Sequence, residues 1–372
     1  WSLEDAENGG YDHFMLKEMH EQPTVLDKIN AKYTDDEILD ISKYKDIHII
    51  GCGSAYHAAL IGKYLINSYA NTLNSRVNVM CDVASEYRYS KQLYNDETLV
   101  VLISQSGETA DTLACLKMAN DNGVDTLAIV NVQSSSIAKQ SKYMMPLLAG
   151  PEIAVATSKG YFAQVALLSK LTLKLCEAKK TMTTKEISSI KEELKGMSNT
   201  IKQLLSNSEQ TKLIADGIYT QEDTFFIGRG IDYAIGLEAS LKLKEISYIN
   251  STTYQAGELK HGAIALVNKG TPVIAICTDP KLYEKTVSNI KEVNSRGAHT
   301  IIITTDEIDK MLPKKDSEDA FYQDKIVIPN AHEFNQALSA IIPLQMLAYE
   351  VAKNRNCDID KPKNLAKSVT VE

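Results

Sequence analysis

A strand-like apolar run followed by Gly-x-Gly occurs twice in the sequence, and this repetition limits the possible folds more than any other feature. Residues 47–53 read Ile-His-Ile-Ile-Gly-Cys-Gly, and residues 224–230 read Thr-Phe-Phe-Ile-Gly-Arg-Gly. A tyrosine follows at the same offset in both segments, as Tyr56 and Tyr233. Internal similarity of this kind predicts two copies of one domain.

Further apolar runs support the same interpretation. Residues 99–103 and 127–130 of the first copy correspond roughly to residues 272–276 and 300–304 of the second. Each run precedes a segment with helical periodicity, a pattern typical of βαβ units and of a parallel sheet covered on both faces. We therefore expect an α/β fold with two doubly wound parallel sheets flanked by helices.

The 372 residues exceed the size to which one hydrophobic core usually grows. We expect a polar lead-in at residues 1–37, whose amphipathic helix stops near Pro23. The segment after Glu177 has helical periodicity and predicts a connecting helix up to Ser208. The expected boundaries are a first domain at residues 38–178, a connecting segment at 179–212, a second domain at 213–355 and a lysine-rich tail at 356–372.

Charge and cysteine content exclude several classes of protein. A net charge of −8 provides no basic field for nucleic acid or an anionic membrane. The six cysteines form no Cys-x-x-Cys pair or zinc pattern, so we expect a reducing compartment and no metal. Without a membrane-spanning run or signal-peptide start, a cytoplasmic location is expected. A dinucleotide cofactor is disfavoured because tyrosine occupies the third glycine position of that fingerprint.

The turn after residues 98–103 carries an unusual number of polar side chains. Ser104, Ser106 and Thr109 offer hydroxyl groups, Gln105 offers an amide, and Gly107 allows close approach of the backbone. A helix N-terminus follows at the carboxyl end of the strand, where parallel sheets bind ligands. The pattern predicts a phosphate site. Helix capping is the alternative, although it accounts for only one or two of the hydroxyl groups.

A second group of residues suits proton transfer. Spacings of four and seven place Glu238, Lys242 and Glu245 on one helix face. A solvated face with surface salt bridges is the alternative interpretation. His261 precedes Gly262 in a glycine-containing turn, so we expect an exposed ring that could act as a general acid or base. A surface histidine without a catalytic role is the alternative.

Four motifs together resemble a known family. They are residues 104–109, 237–248, 257–262 and the terminal Asn-Leu-Ala-Lys-Ser-Val-Thr-Val-Glu at 364–372. The chain resembles the isomerase part of glutamine:fructose-6-phosphate aminotransferases, which consists of two tandem sugar isomerase (SIS) domains and a C-terminal tail. The resemblance implies conversion of fructose 6-phosphate and ammonia into glucosamine 6-phosphate, in a homodimer without a cofactor.

The resemblance also implies roles for individual residues. Glu245 would move a proton between C1 and C2 with Lys242 beside it. His261 would reach in from the neighbouring subunit to open the sugar ring, and Lys367 would form a Schiff base with the ketose. The implied substrate-binding residues are Ser104, Gln105, Ser106, Thr109, Ser54, Val155 and Thr157.

Some expected features differ or are absent. The family usually has serine where this chain has Ala55, and it has the hydroxyl residues at Thr157 and Ser158 in the opposite order. No glutaminase domain led by cysteine is recognised, so we expect isomerisation rather than glutamine hydrolysis, with such a domain normally fused to this part. The alternatives are a sugar-phosphate-binding regulatory module and a related sugar-phosphate isomerase or deglycase. A regulatory module needs the phosphate site but not Glu245, His261 and Lys367 together.

Overall fold

The chain divides into two units. The structure, a computed structural model, describes residues 7–73 and 75–370. The first unit extends to Ser198 and also includes the tail from Ala366 onward, whereas the second unit comprises Asn199–Leu365.

The first unit contains a five-stranded sheet in which every neighbouring pair is parallel. Its strands are β1 (Asp46–Gly51), β2 (Asn78–Val83), β3 (Thr98–Ser104), β4 (Asp125–Val130) and β5 (Tyr143–Pro146), in the order β2-β1-β3-β4-β5. Its helices are α1 (Phe14–Lys32), α2 (Ser54–Tyr69), α3 (Ala84–Tyr87), α4 (Ala110–Asp121), α5 (Ser136–Gln140), α6 (Lys159–Lys179) and most of α7 (Thr184–Ser206). All seven residues of β3 are buried, as expected for a central strand of β-branched and aliphatic residues.

The second unit repeats this arrangement. Its strands are β6 (Asp223–Gly228), β7 (Asn250–Gln255), β8 (Pro272–Cys277), β9 (His299–Thr305) and β10 (Asp324–Ile328), in the parallel order β7-β6-β8-β9-β10. Its helices are α8 (Glu209–Ile218), α9 (Ile231–Ser247), α10 (Tyr283–Asn294), α11 (Asp306–Asp309) and α12 (Glu333–Asn354), with short 3₁₀ helices at Glu258–His261, Ala263–Leu266 and Pro280–Leu282. The shared strand order confirms the predicted α/β fold with two copies of one domain.

The repeated Gly-x-Gly segments have the same backbone geometry. Gly53 and Gly230 precede α2 and α9 with φ angles of 55° and 57° and ψ angles of −125° and −127°. Residues with a Cβ rarely adopt this conformation. The second glycine of each pair is therefore required for the sharp turn from strand to helix.

The expectation that the first helix stops near Pro23 is wrong, because α1 continues to Lys32. A proline inside a helix costs about 3 kcal/mol through its missing N–H and its steric clash. Met15, Met19 and Leu26 are completely buried on the same helix, which packs against α6. We attribute the continuation through Pro23 to this packing.

The connecting segment is also more divided than expected. α6 continues to Lys179 and ends at Lys180, whose φ of 53° is left-handed. A separate helix, α7, follows, with Ile187, Ile190 and Leu194 buried as their periodicity predicts. Residues 177–179 therefore belong to the end of α6 rather than to a connecting helix.

The structure also bears on the expectations drawn from composition. All six cysteines are free thiols. Within residues 7–73 and 75–370, no helix is both long enough and apolar enough to cross a membrane.

Candidate active site

The site in the first unit lies at the carboxyl ends of β1 and β3. These strands are neighbours, but the chain continues from β1 to β2 on one side and from β3 to β4 on the other. The connections after β1 and β3 therefore diverge, and such a point of divergence is the usual ligand position in parallel sheets. Ser54 begins α2 on one side of this point, and residues 104–109, here named the hydroxyl loop, follow β3 on the other.

The side chains of the hydroxyl loop contact one another and its backbone. Ser104 Oγ accepts the Gly107 N–H at 2.9 Å and lies 3.1 Å from Thr109 Oγ1. Ser106 Oγ accepts the Glu108 N–H at 3.2 Å. Thr109 occupies the N-cap position of α4, but its side chain caps no helix N–H. Helix capping therefore does not explain this hydroxyl group.

Gly107 fixes the shape of the hydroxyl loop. Its φ is 68°, and a Cβ at this position would lie 2.0 Å from Ser135 Oγ. Its carbonyl accepts the Ile137 N–H at 3.1 Å, while the Gln105 carbonyl accepts the Asn131 N–H at 3.1 Å. Glu108 Oε1 also accepts the Ser136 N–H at 2.7 Å, so the loop is attached to the segment after β4 at three points.

The C-terminal tail contacts the hydroxyl loop. Ser368 Oγ lies 3.0 Å from Ser106 Oγ, and the Val369 carbonyl accepts the Ala110 N–H at 3.1 Å. The second contact occupies an N–H in the first turn of α4. The tail therefore bonds to both the hydroxyl loop and the start of the following helix.

Lys367 is bound between two acceptors of the segment that connects β5 to α6. Its Nζ donates to Glu152 Oε2 and to the Ala154 carbonyl, both at 2.8 Å. The Glu152 side chain is fully buried, whereas 25% of the Lys367 side chain is exposed. The amine is consequently fixed in position while remaining partly accessible.

Glu152 organises several other groups near the amine. Its carboxylate accepts Thr157 Oγ1–H at 2.6 Å and the Ser158 and Gly160 N–H groups at 2.9 and 3.0 Å. Two of these contacts place negative charge at the N-terminus of α6, where the helix dipole favours it. Burial opposes ionisation of Glu152, but the charge and hydrogen bond of Lys367, with the Thr157 and Gly160 contacts, lower its pKa to about 2.

Gln105 and Thr157 converge on the same small space beside Gly160. A Cβ on this glycine would lie 2.7 Å from Thr157 Oγ1 and 3.0 Å from both Gln105 Cγ and Glu152 Oε2. Val155 is half-buried in the same connecting segment. The structure therefore brings Gln105 and Thr157 close to the carboxylate that binds Lys367.

The second unit contains the residues predicted to transfer protons. Lys242 is completely buried on α9, with its Nζ 2.5 Å from Glu245 Oε2 and 3.4 Å from Glu238 Oε1. Glu238 is also completely buried, whereas 20% of the Glu245 side chain is exposed. The alternative of a solvated helix face is therefore wrong. The buried ammonium group therefore holds a partly exposed carboxylate in position.

His261 is exposed, as its sequence context predicts. It ends the 3₁₀ helix Glu258–His261 and precedes Gly262, whose φ is 145°. His261, Lys242 and Glu245 belong to the second unit, whereas the hydroxyl loop and Lys367 belong to the first.

The second copy does not repeat the hydroxyl loop, because the segment after β8 reads Thr-Asp-Pro-Lys-Leu-Tyr at residues 278–283. The position equivalent to Ala55 is Asp232, which is buried at the start of α9 and accepts the Thr278 N–H and hydroxyl group at 2.8 and 2.5 Å. Burial raises the pKa of Asp232 to about 6. A carboxyl group at this position opposes phosphate binding, so the two copies differ in chemistry despite their shared topology.

Sequence reasoning missed Glu152. The only signal for this residue is one acidic side chain within the otherwise apolar Pro-Glu-Ile-Ala-Val-Ala at residues 151–156. An isolated carboxylate in such a context is typically buried and paired. Its partner could not be identified, because Lys367 lies 215 residues away in the sequence.

Comparison with known proteins first defines the class. The SIS domain family matches residues 40–174 and 217–355, which cover the two sheets. The chain belongs to the SIS domain family.

Individual relatives of high sequence identity point to one group within the SIS domain family. The chain is 44% identical to the glutamine–fructose-6-phosphate aminotransferase [isomerizing] of Clostridium tetani and 40% identical to that of Methanosarcina acetivorans, with all of this chain covered in both cases. It spans 61% and 60% of the lengths of those relatives. These matches agree with the resemblance to the isomerase part of such enzymes.

Comparison with solved structures also points to the C-terminal part of these aminotransferases. The C-terminal domain of glucosamine-fructose-6-phosphate aminotransferase from Francisella tularensis superposes with a TM-score of 0.89 at 35% identity, covering 95% of this chain and 100% of that domain. A glucosamine-6-phosphate deaminase from Thermotoga maritima has a TM-score of 0.72 at 21% identity, which establishes a shared fold alone. The resemblance to the isomerase part of the aminotransferases is therefore confirmed.

Proposed function

We propose that the chain is the ketose–aldose isomerase part of an enzyme that makes glucosamine 6-phosphate from fructose 6-phosphate and glutamine-derived ammonia. The observation that carries this proposal is the position of the tail. Lys367 binds Glu152 while Ser368 and Val369 bond to the hydroxyl loop and to α4. An amine and the hydroxyl groups that we propose to bind phosphate thereby lie in one unit.

The substrate phosphate binds the hydroxyl loop through Ser104, Gln105, Ser106 and Thr109. The hydroxyl and amide groups can donate hydrogen bonds to its oxygens, and the N-terminus of α4 favours negative charge. Ser54, Val155 and Thr157 contact the sugar. These assignments follow the family resemblance, with support from the convergence of Gln105 and Thr157 beside Gly160.

The remaining roles concern the reacting carbons. His261 of a neighbouring subunit opens the sugar ring, and Lys367 Nζ adds to the ketose carbonyl with loss of water to form an imine. Ammonia then displaces the Lys367 amine from C2, and the resulting imine acidifies the C1–H, from which Glu245 removes a proton that it returns to C2 to give glucosamine 6-phosphate. Without ammonia, water releases the Lys367 amine from the open sugar, and the same proton transfer on the ketose gives glucose 6-phosphate. Lys242 holds Glu245 in position.

The same proposal extends to assembly and location. The active unit is a homodimer in the cytoplasm, and ammonia comes from a glutaminase domain in the same polypeptide. Support for the glutaminase domain comes from the shared family and from the 61% of the Clostridium tetani relative that this chain spans. No metal or cofactor takes part in the proposed reaction.

Borohydride trapping tests the Schiff base. Incubation with fructose 6-phosphate and sodium borohydride is expected to attach one sugar to Lys367, because hydride converts the imine to a stable secondary amine. Lys159 and Lys242 should remain unlabelled, since their side chains are 3% and 0% exposed, whereas that of Lys367 is 25% exposed. Mass spectrometry of peptides locates the label, with Lys367→Arg as the control. Labelling of another lysine, or normal isomerisation by a chain truncated after Asp360, would disprove the role of Lys367.

A further inference from the structure

Glu18 is a buried carboxyl group that none of the proposed chemical steps uses. It lies on α1, outside the segment matched by the SIS domain family. Only 2% of the residue is exposed, and its Oε2 has no hydrogen-bond partner within the described residues. Burial of a carboxyl group is costly unless its contacts compensate. The contacts of Oε1 therefore identify what the residue does.

Glu18 Oε1 holds the backbone of residues 152–154, here named the Glu152 turn. It accepts the Ile153 N–H at 2.5 Å and the Ala154 N–H at 3.2 Å. These amides lie in irregular backbone between β5 and α6, where neither a sheet nor a helix provides acceptors. The carboxyl group thus supplies the acceptor that this turn lacks.

The same turn provides both acceptors for Lys367. Nζ donates to Glu152 Oε2 on one side of Ile153 and to the Ala154 carbonyl on the other. The Ala154 N–H contacts Glu18 while its carbonyl contacts Lys367. A change in the orientation of this backbone would therefore move the position of the amine.

We infer that Glu18 is a positioning residue for Lys367, acting through the two N–H groups of the Glu152 turn. This inference rests on the proposed role of Lys367. It extends the functional site to α1, which contributes no group that contacts the reacting atoms.

The charge state of Glu18 agrees with this role. Burial and the nearby negative charge of Glu152 raise its pKa to about 8, against the opposing effects of the Ile153 N–H, Lys367 and Lys159. A neutral Glu18 does not compete with Glu152 for the ammonium group of Lys367. Lys159 is itself paired with Glu21 at 2.5 Å.

Replacement of Glu18 tests the inference in two ways. Glu18→Ala should lower kcat and the rate of borohydride-dependent labelling of Lys367 at least about tenfold, with KM for fructose 6-phosphate changed less than about threefold. Glu18→Gln should retain most of the wild-type kcat and most of the labelling rate, because its amide oxygen can accept the same N–H groups. Leu26→Ala is the matched control, since it creates a cavity two turns further along α1 and should lower stability without slowing the labelling of folded protein.

Amide hydrogen exchange provides a measurement that does not depend on catalysis or on labelling of Lys367. The Ala110 N–H bonds to the tail at Val369, so loss of the Lys367 position should accelerate its exchange at least about tenfold in Glu18→Ala but not in Leu26→Ala. Wild-type exchange at Ala110 together with wild-type labelling of Lys367 in Glu18→Ala would overturn the inference. Equal effects of Leu26→Ala and Glu18→Ala would also overturn it. If the unmodified chain shows no labelling of Lys367, the proposed function fails, whereas exchange at Ala110 still decides the role of Glu18.

Discussion

Replacing Glu245 with glutamine is expected to lower the rate of fructose 6-phosphate isomerisation by about 10²–10⁴, the usual effect of removing a general base. The amide has nearly the same shape as the carboxylate but cannot remove a proton from carbon. Lys242 would remain next to the buried Glu238, with its Nζ 3.4 Å from Glu238 Oε1. We therefore expect kcat to fall while the affinity for glucose 6-phosphate stays within about threefold.

Steady-state kinetics and calorimetric titration with glucose 6-phosphate measure the two quantities for Glu245→Gln. Glu222→Gln is the matched control, because this exposed residue precedes β6 in the same unit. A Glu245→Gln protein that isomerises at a rate close to that of the Glu222→Gln control would show that Glu245 is not the base.

The double substitution Ser104→Ala/Thr109→Ala is expected to weaken binding of glucose 6-phosphate by about 100-fold or more. Hydrogen bonds to a charged group are worth about 1.5–3 kcal/mol each, so the loss of two should produce at least this change. Because Ser104 Oγ also accepts the Gly107 N–H, the substitution removes an internal hydrogen bond as well. Thermal unfolding must therefore accompany the calorimetric titration.

Two variants separate binding from stability in this test. Thr109→Val alone preserves the bond from the Gly107 N–H to Ser104 Oγ and should still weaken binding by about tenfold. Thr98→Ala/Thr126→Ala removes two hydroxyl groups at the amino-terminal edge of the same sheet, which accept the Asn95 and Lys142 N–H groups, and should leave the affinity unchanged. Unchanged affinity in the folded Ser104→Ala/Thr109→Ala protein would mean that the phosphate binds elsewhere.

The sequence was most informative where local chemistry decides structure. Apolar runs such as residues 98–103 predict buried parallel strands because a sheet covered on both faces leaves no place for polar side chains. The recurrence of Gly-x-Gly predicts two copies because the same backbone turn requires the same glycine. The hydroxyl loop could be identified for a similar reason, since its polar groups follow a central strand directly.

Contacts between residues far apart in the chain could not be predicted from the sequence. Ser106 and Ser368 are separated by 262 residues, and no local pattern indicates their contact. The continuation of α1 through Pro23 depends on packing against α6, which outweighs a local preference. Glu18 and Glu152 were missed for the same reason, because a buried carboxyl group is explained only by partners that the fold brings to it.

The most direct test of the proposed isomerase activity is to incubate the chain with fructose 6-phosphate in D₂O, without glutamine or ammonia. We predict that glucose 6-phosphate accumulates, with deuterium at C2 in proportion to the exchange of the transferred proton with solvent, and that the Glu245→Gln protein forms it at least about 100-fold more slowly. Binding of the sugar phosphate by the folded chain without formation of glucose 6-phosphate would contradict the proposal and favour a sugar-phosphate-binding regulatory module.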